Sequence, residues 1–382
     1  MIFAPAEAVG PGKTSRTATV NRLQDALSTK PALASAAQIH AFPMPDFKVG
    51  TLDALVVLSD DVAKADAAHW AAAVKVADNL RTLLGDGASD GRWEAYLQVD
   101  GLAIDEAVCA FRWNAAKYRV DGSLREILNS IQSEVASVDT LVKTKMQQYA
   151  QIKGRLQAIQ RKQTGNLAVK ALDDLVRKDM FVLGSEYLST VLVAVPTAME
   201  KEWYATYETL APMVVPRSSV EVAQDDEYRL FTVTLFSRVI DEFAAKAREK
   251  KFLVRDFVWD EQALAAAKRE AAEVAVTEKE TWTTLVRLCK TNFGTLYSAA
   301  LHTTALRAHI EAVLRYGVPP DFQAMMLAYP PAQDAKVGEL LNTTYASLAK
   351  GPAVVVEENM QHLLGGEDYS PVVQFPVSVI SR

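Results

Sequence analysis

The segment Gly10-Pro11-Gly12-Lys13-Thr14-Ser15 is the part of the sequence that most invites a nucleotide-binding interpretation. The complete phosphate loop reads G-x-x-x-x-G-K-[ST], and its backbone amides and lysine hold phosphates between a strand and a helix. Five residues before Gly12 the sequence has Glu7 in place of glycine, and no helical pattern clearly follows. We therefore predict a flexible loop and no ATP hydrolysis, with a nucleotide-binding enzyme as the alternative.

The histidines are the next candidates, as ligands of a metal ion. There are five of them: His40, His69, His302, His309 and His362. His302 and His309 are seven residues apart and share one helical face, whereas metal ligands on a helix sit closer together, at three or four residues. Beyond Glu311 neither has a carboxylate or cysteine at ligand spacing. The pattern favours structural or surface roles, so we predict no metal site.

No catalytic constellation stands out in the remaining residues. The serines lack a G-x-S-x-G context. The 2 cysteines, Cys109 and Cys289, form no C-x-x-C pair and have no context that marks a nucleophile. Their number and spacing predict neither a disulfide framework nor a zinc site, and they fit a reducing compartment. We expect no catalytic residue and no cofactor, and therefore no enzyme.

A basic cluster, Arg248, Lys250, Lys251 and Arg255, follows a predicted amphipathic helix. Cations at the carboxyl end of a helix complement the helix dipole, and this alone would explain them. The functional alternative is a docking patch for an acidic partner. We treat the four residues as candidate partner-binding residues and keep both interpretations.

Composition limits the class of protein. The chain has 382 residues, of which 49% are hydrophobic and 23% charged, with a formal net charge of −6. These are ordinary globular values, and a mildly acidic chain argues against nucleic acid as its main partner. No apolar run approaches the roughly 18 residues that suggest a membrane span, and the N-terminus lacks a signal-peptide pattern. We predict a soluble cytoplasmic protein that reaches membranes only through partners.

Residues 123 to 163 have the clearest periodicity in the sequence. Apolar residues recur there with the 4-3-4-3 spacing of a heptad seam, in which Lys145 is the only charged position. The seam residues are Leu124, Leu128, Ile131, Val135, Val138, Val142, Lys145, Tyr149, Ile152, Leu156 and Ile159. Asp121 is a plausible N-cap and Gly165 a plausible end. A helix of about 40 residues would be about 60 Å long.

A second seam, in residues 260 to 296, offers a partner for this helix. Alanines dominate its first half, and small residues would allow a close approach of the two helices. Its members are Leu264, Ala267, Ala271, Val274, Glu278, Trp282, Leu285, Cys289, Phe293 and Leu296. We infer an intramolecular antiparallel pair. The alternative is a seam that awaits another chain.

A strand-rich insert lies between the two seams. Tyr187–Val195 is β-branched and Tyr228–Phe236 alternates apolar and polar residues, so both are predicted strands. An amphipathic helix starts at Ser237. These elements predict a small α+β domain.

The two ends of the chain supply the rest. We expect loops in the first 50 residues, a buried strand at Leu55–Leu58, a helix over Thr303–Tyr316 and a strand over Met325–Tyr329. From Val373 onward apolar residues alternate, and Pro376 makes that segment an edge strand. Both ends of the chain would then share one sheet.

Together the elements predict an α+β fold arranged as an elongated dumbbell, with a head and a foot joined by a long antiparallel helical neck. The predicted divisions are the N-terminal part of the foot (1–120), the long neck helix (121–164), the head (165–259), the return neck helix (260–296) and the C-terminal part of the foot (297–382).

Several segments, in this order, resemble one known family. They are Phe47–Asp53, Thr164–Leu167, Ser185–Pro196, Ala247–Phe257 and Ala305–Pro320. Together they span about Phe47 to Tyr329 and resemble the C subunit of the vacuolar-type (V-type) proton-transporting ATPase. The order of the segments is much more specific than any single one.

The resemblance implies a non-catalytic stator component of a rotary proton pump, on the cytosolic face of vacuolar membranes and other endomembranes. The implied partners are the peripheral stalks, made of the E and G subunits, and the cytosolic domain of the membrane-bound a subunit. The family joins these parts reversibly and so controls assembly of the pump. We expect a monomer when the chain is free. A coiled-coil adaptor in membrane traffic shares the long helices but does not predict the ordered segments.

Overall fold

Long helices and small antiparallel sheets make up the fold, so the predicted α+β class is confirmed. The computed structural model describes residues 1–10, 13–85, 93–318, 321–346 and 370–377. Within these residues the α-helices are α1 (Arg16–Ser28), α2 (Pro31–Ala34), α3 (Leu52–Leu84), α4 (Ile104–Cys109), α5 (Leu124–Thr164), α6 (Glu200–Thr206), α7 (Ile240–Glu249), α8 (Glu261–Tyr316) and α9 (Asp334–Tyr345). The strands are β1 (Ile2–Pro5), β2 (Glu7–Gly10), β3 (Lys13–Ser15), β4 (Gln38–Phe42), β5 (Gln98–Val99), β6 (Leu102–Ala103), β7 (Leu188–Pro196), β8 (Val220–Gln224), β9 (Tyr228–Phe236), β10 (Leu253–Arg255), β11 (Phe322–Ala328) and β12 (Val373–Gln374).

The chain divides into two units. Unit 1 consists of Met1–Lys145 and Thr284–Arg382, and unit 2 of Met146–Thr283. Helices α5 and α8 each contribute one segment to each unit.

Unit 1 contains a four-stranded antiparallel sheet in the order β12-β1-β11-β4. Strand β1 lies in its interior, where Phe3 is opposite both Ala324 and Val373. The two ends of the chain therefore share one sheet, as predicted, and β12 is an edge strand. Because successive side chains of a strand point to opposite faces, Ile2 and Ala4 pack with Leu23 of α1 and Leu341 of α9.

Helices α3, α5 and α8 pack against one another in unit 1. Asp61 and Lys75 of α3 form ion pairs with Arg125 and Asp139 of α5, which indicates that these two helices run parallel. The inward positions of α3 recur at helical spacing and are buried. They are Leu55, Leu58, Val62, Ala65, Asp66, His69, Ala73, Val76, Ala77 and Leu80.

Unit 2 contains a second four-stranded antiparallel sheet, in the order β10-β7-β9-β8. Helices α6 and α7 cover one face, where Trp203 and Phe243 pack with Val193. The segment that follows α5 covers the other face, where Leu172 packs with Leu192. Strand β7 is thus buried on both faces, which explains its continuous apolar run. The predicted strands around Tyr187–Val195 and Tyr228–Phe236 are confirmed.

The segments of α5 and α8 that belong to unit 2 form an antiparallel pair, as inferred from the two seams. The Tyr149 hydroxyl donates to Glu278 Oε1 at 2.9 Å, and Arg155 pairs with Glu270 further along. Of the predicted seam positions here, Tyr149 and Val274 are buried. Lys145 and Ala267 are exposed.

The N-terminal region contradicts our predictions. The first 50 residues contain four strands and two helices instead of loops, and Leu55–Leu58 lies inside α3 instead of forming a strand. Helix α1 was hidden because its buried residues include a polar one, Thr19, beside Leu23 and Leu27. A four-residue apolar run cannot be assigned to a strand or a helix by itself.

Two predicted helix boundaries were also wrong. Asp121 does not cap α5, since it pairs with Arg119. The cap is Ser123, whose hydroxyl accepts the Glu126 N–H at 3.3 Å while Glu126 Oε2 accepts the Ser123 N–H at 2.8 Å. No separate helix starts at Thr303, because α8 continues without a break for 56 residues to Tyr316.

Candidate functional site

The segment that invited a phosphate-loop interpretation forms a hairpin. Strand β2 pairs antiparallel with β3, with Gly10 opposite Lys13, and Ser15 then caps α1 by accepting the Ala18 N–H at 3.3 Å. The prediction that no helix follows is therefore wrong, and so is the flexible loop over Lys13–Ser15. Residues 11 and 12 lie outside the described residues. A phosphate loop needs free backbone amides between strand and helix, whereas these strands bond to each other.

The histidines lie in the interior of unit 1 and serve packing. His302 Nδ1 donates to the Ser298 carbonyl at 2.7 Å, and His302 Nε2 accepts the Asn114 N–H at 3.0 Å. His309 packs edge-on against Phe47 and Phe322. Burial lowers the pKa of both histidines to about 4, so both are neutral near pH 7.

Metal binding finds no support among these side chains. His302 and His309 contact different neighbours, as the preceding contacts show, and His362 lies outside the described residues. Over the described part of the chain, no three His, Cys, Asp or Glu side chains converge as a metal site would require. Both cysteines are free thiols, and burial raises the pKa of Cys289 to about 11.

A buried polar contact between α3 and α8 was missed from the sequence. Asp66 Oδ1 accepts the Thr304 hydroxyl at 2.6 Å, and Asp66 Oδ2 pairs with Arg307 Nη1 at 3.2 Å. Beside it, His69 Nδ1 lies 2.8 Å from the Thr303 hydroxyl. The signal was present, because Asp66 and His69 occupy inward positions of an otherwise apolar helical face. This network holds two helices together and contains no unpaired group that could attack a substrate.

The basic cluster lies in unit 2, where α7 ends and β10 begins. The Arg255 guanidinium donates to the carbonyl oxygens of Leu167 and Lys170, at 2.9 and 2.8 Å. It therefore holds the segment after α5 in place. Lys250 forms an ion pair with Glu202 at 3.2 Å.

The other two members of the basic cluster are available to solvent. Arg248 and Lys251 are exposed, and neither forms an ion pair with another described residue. Lys251 has φ of 65° in the turn that ends α7, where the Phe252 N–H donates to the Ala247 carbonyl at 2.9 Å. Glycine is the usual residue at such a position, since a side chain there is strained.

None of the helices in the described ranges has a stretch both long and apolar enough to cross a bilayer.

Comparison with known proteins gives one consistent family. The family described as the V-ATPase C subunit matches residues 7–373. The V-type proton ATPase C 1-A subunit of Danio rerio is 40% identical over 342 residues, which cover 88% of this chain and 89% of that protein. The V-type proton ATPase C 1 subunit of Macaca fascicularis is 38% identical over 370 residues, 96% of each chain.

A solved structure, the cytoplasmic N-terminal domain of the I subunit (homolog of the a subunit) of V-ATPase, covers 90% of this chain and 97% of its own at 14% identity and a TM-score of 0.26. A likeness at that level supports no inference. The family match over residues 7–373, together with relatives of 38 to 40% identity, shows that the chain belongs to the family of V-ATPase C subunits.

Proposed function

We propose that this chain is a non-catalytic stator subunit of a V-type proton ATPase, which links the peripheral stalks to the membrane sector and controls reversible assembly. The family match over residues 7–373 is the observation that carries the proposal. Its partners are the E and G subunits of the stalks and the cytosolic domain of the a subunit. The chain is cytoplasmic and monomeric when free, and it reaches the membrane only through these partners.

The arrangement that suits this role is the dumbbell expected from the sequence. The head, residues 165–259, is held by the neck segments 121–164 and 260–296. The foot is built from residues 1–120 and 297–382. Separate sheets in unit 1 and unit 2 support two folded bodies within one chain.

The physical logic is resistance to torque. A rotary motor needs static links that are not dragged around with the rotor. Two moderate contacts on one stiff chain combine through effective concentration into firm attachment, and loss of either contact weakens the whole. Such a link is therefore both firm and releasable.

Native purification tests the role directly. The chain, tagged and purified from native membranes, should bring down the E, G and a subunits. Lys13→Ala should leave proton pumping nearly unchanged, because the hairpin around Lys13 holds no phosphate. Recovery of the chain without any ATPase component would contradict the proposal, as would a large loss of pumping by Lys13→Ala in an assembled pump.

We propose the basic cluster as part of the contact between the head and a stalk of E and G subunits. The strained φ of Lys251 supports this, because a side chain kept at a position that favours glycine, at a cost of about 1 kcal/mol, needs a use elsewhere. Arg248 and Lys251 carry the contact, since Lys250 and Arg255 already have partners within unit 2.

Two variants separate this contact from a purely structural role. Charge reversal at Lys250 and Lys251 should weaken binding to the purified stalk heterodimer, and the wild-type affinity should fall as salt rises. Lys251→Gly should raise the free energy of unfolding by about 1 kcal/mol through relief of strain, yet still weaken binding. If both variants bind the stalk like wild type, the cluster serves only the end of the helix.

A further inference from the structure

A cleft of about 310 Å³ opens beside α7 in unit 2, and nothing described so far uses it. Its walls are one face of α7, with Ile240, Ala244 and Arg248, and residues 189–191 of β7. The segment 252–258 closes the third side. We call this feature the α7 cleft.

The cleft exists because β10 is much shorter than β7. Strand β10 pairs only with Leu192–Ala194, so the first residues of β7 continue past its end. After Arg255 the chain leaves the sheet, since Phe257 and Trp259 pack with Phe181 at 5.5 and 5.7 Å on the other face. The gap is therefore part of the fold of the sheet edge.

The lining of the cleft is mainly apolar. Val191 and Phe252 are buried in its floor, whereas Leu253 is 37% and Val258 80% exposed at its rim. Water in such a site cannot make its full set of hydrogen bonds, so an apolar group that displaces it gains affinity. The volume is at the low end of the range of about 300–1,000 Å³ for ligand pockets, which suits one or two side chains.

The charge at the rim selects what accompanies that side chain. Arg248 lines the cleft and is exposed without an ion pair to any described residue, while the Arg255 guanidinium is bonded to backbone carbonyls. Asp256 contributes a carboxylate to the lining. Lys251, three residues beyond Arg248, adds a second exposed cation. A carboxylate near Arg248 would therefore be attracted to this end of α7.

We propose that the α7 cleft receives a bulky apolar side chain from a partner polypeptide, with a carboxylate of the same partner pairing with Arg248. The inference rests on the proposed function, in which this part of the chain contacts the stalk heterodimer. It assigns the energy of that contact to a buried anchor, as in other interfaces where a few well-packed residues dominate. The exposed cations then add attraction and specificity.

Filling the cleft tests the anchor. Ala244 lines the cleft, and Ala245, the next residue of α7, is exposed and does not line it. In a calorimetric titration of the full chain with purified E–G heterodimer, Ala244→Trp should weaken binding at least tenfold. Ala245→Trp, with the same added bulk, should stay within twofold of wild type.

A second pair of variants guards against misfolding of Ala244→Trp. Val258→Asp places a charge on a side chain that is 80% exposed, so it should leave the fold intact and still weaken binding about tenfold. Its control is Val169→Asp, at a position 71% exposed outside the cleft. Arg248→Glu should weaken binding more at low salt than at high salt, whereas Lys201→Glu, the same charge change on α6, should not.

The outcomes are distinguishable. If wild type binds the heterodimer and the folded cleft variants bind equally well, the α7 cleft is not the anchor site, and the proposed function stands. If wild type does not bind the heterodimer at all, the stalk contact fails, and the anchor proposal fails with it.

Discussion

At the scale of single residues, the buried histidines of unit 1 differ in what they contact. His302 has a partner for each ring nitrogen, whereas neither nitrogen of His309 has a hydrogen-bond partner among the described residues. His302 and His309 are each only 2% exposed. A buried polar atom without a partner destabilises a fold, and a protonated imidazole there would do so more strongly.

We therefore predict that His309→Phe makes the protein less sensitive to acid. The unfolded histidine has a pKa of about 6.5 and the folded one of about 4, so the unfolded chain takes up the proton first as the pH falls. The free energy of unfolding is then complete above pH 6.5 and decreases toward pH 4, by about 2 kcal/mol per histidine at pH 5. In urea denaturation, the loss between pH 7 and pH 5 should be smaller in the variant by about that amount.

His302→Phe is the matched control for this prediction. It removes a similar titration but leaves the Asn114 N–H without its acceptor, so stability should already fall at pH 7, by about 1–3 kcal/mol. An unchanged acid sensitivity of His309→Phe would mean that its imidazole is not buried in the neutral form.

At the scale of elements, the start of α5 shows how a helix boundary is chosen. Asp121 and Ser123 are both good N-cap residue types. Ser123 is the cap because Glu126, three residues later, returns the hydrogen bond and completes a capping box. Asp121 lies too far from the first free amides and pairs with Arg119 instead.

We predict that Ser123→Ala lowers the free energy of unfolding by about 1 kcal/mol, because an amide at the start of α5 loses its acceptor. Asp121→Ala should change it by less than about 0.5 kcal/mol, since its ion pair with Arg119 is on the surface. Urea denaturation of the two variants side by side makes the comparison. Equal effects would show that the box does not hold the helix start.

At the scale of the whole molecule, the proposed dumbbell makes a prediction about size. A compact globule of this length would have a radius of gyration of about 21 Å. Two bodies joined by a long helical neck should give a value well above that. Small-angle scattering of the free chain measures it, and light scattering on the same sample checks that the chain is a monomer. A value near 21 Å would contradict the dumbbell, and an obligate dimer would contradict the intramolecular seam.

Much of the fold could be predicted from the sequence where local signals were strong. The heptad spacing over 123 to 163 located α5, which ends at Thr164 just before Gly165. The alternation over Tyr228–Phe236 gave the bounds of β9. Local prediction failed at α1, whose buried face includes Thr19, and within α8, where no residue between Leu296 and Thr303 distinguishes one continuous helix from two.

The sequence by itself determined the class of fold, the main elements and the family, because periodicity and ordered motifs are written in neighbouring residues. Only the tertiary structure decided which distant residues meet. Asp66 reaches Arg307, and Gly294 is needed because a Cβ there would lie 2.8 Å from the Gln98 carbonyl oxygen. It also showed that Arg255 of the basic cluster is committed to backbone carbonyls while Arg248 borders a cleft. Such contacts depend on how elements pack across the fold, and no local pattern records that packing.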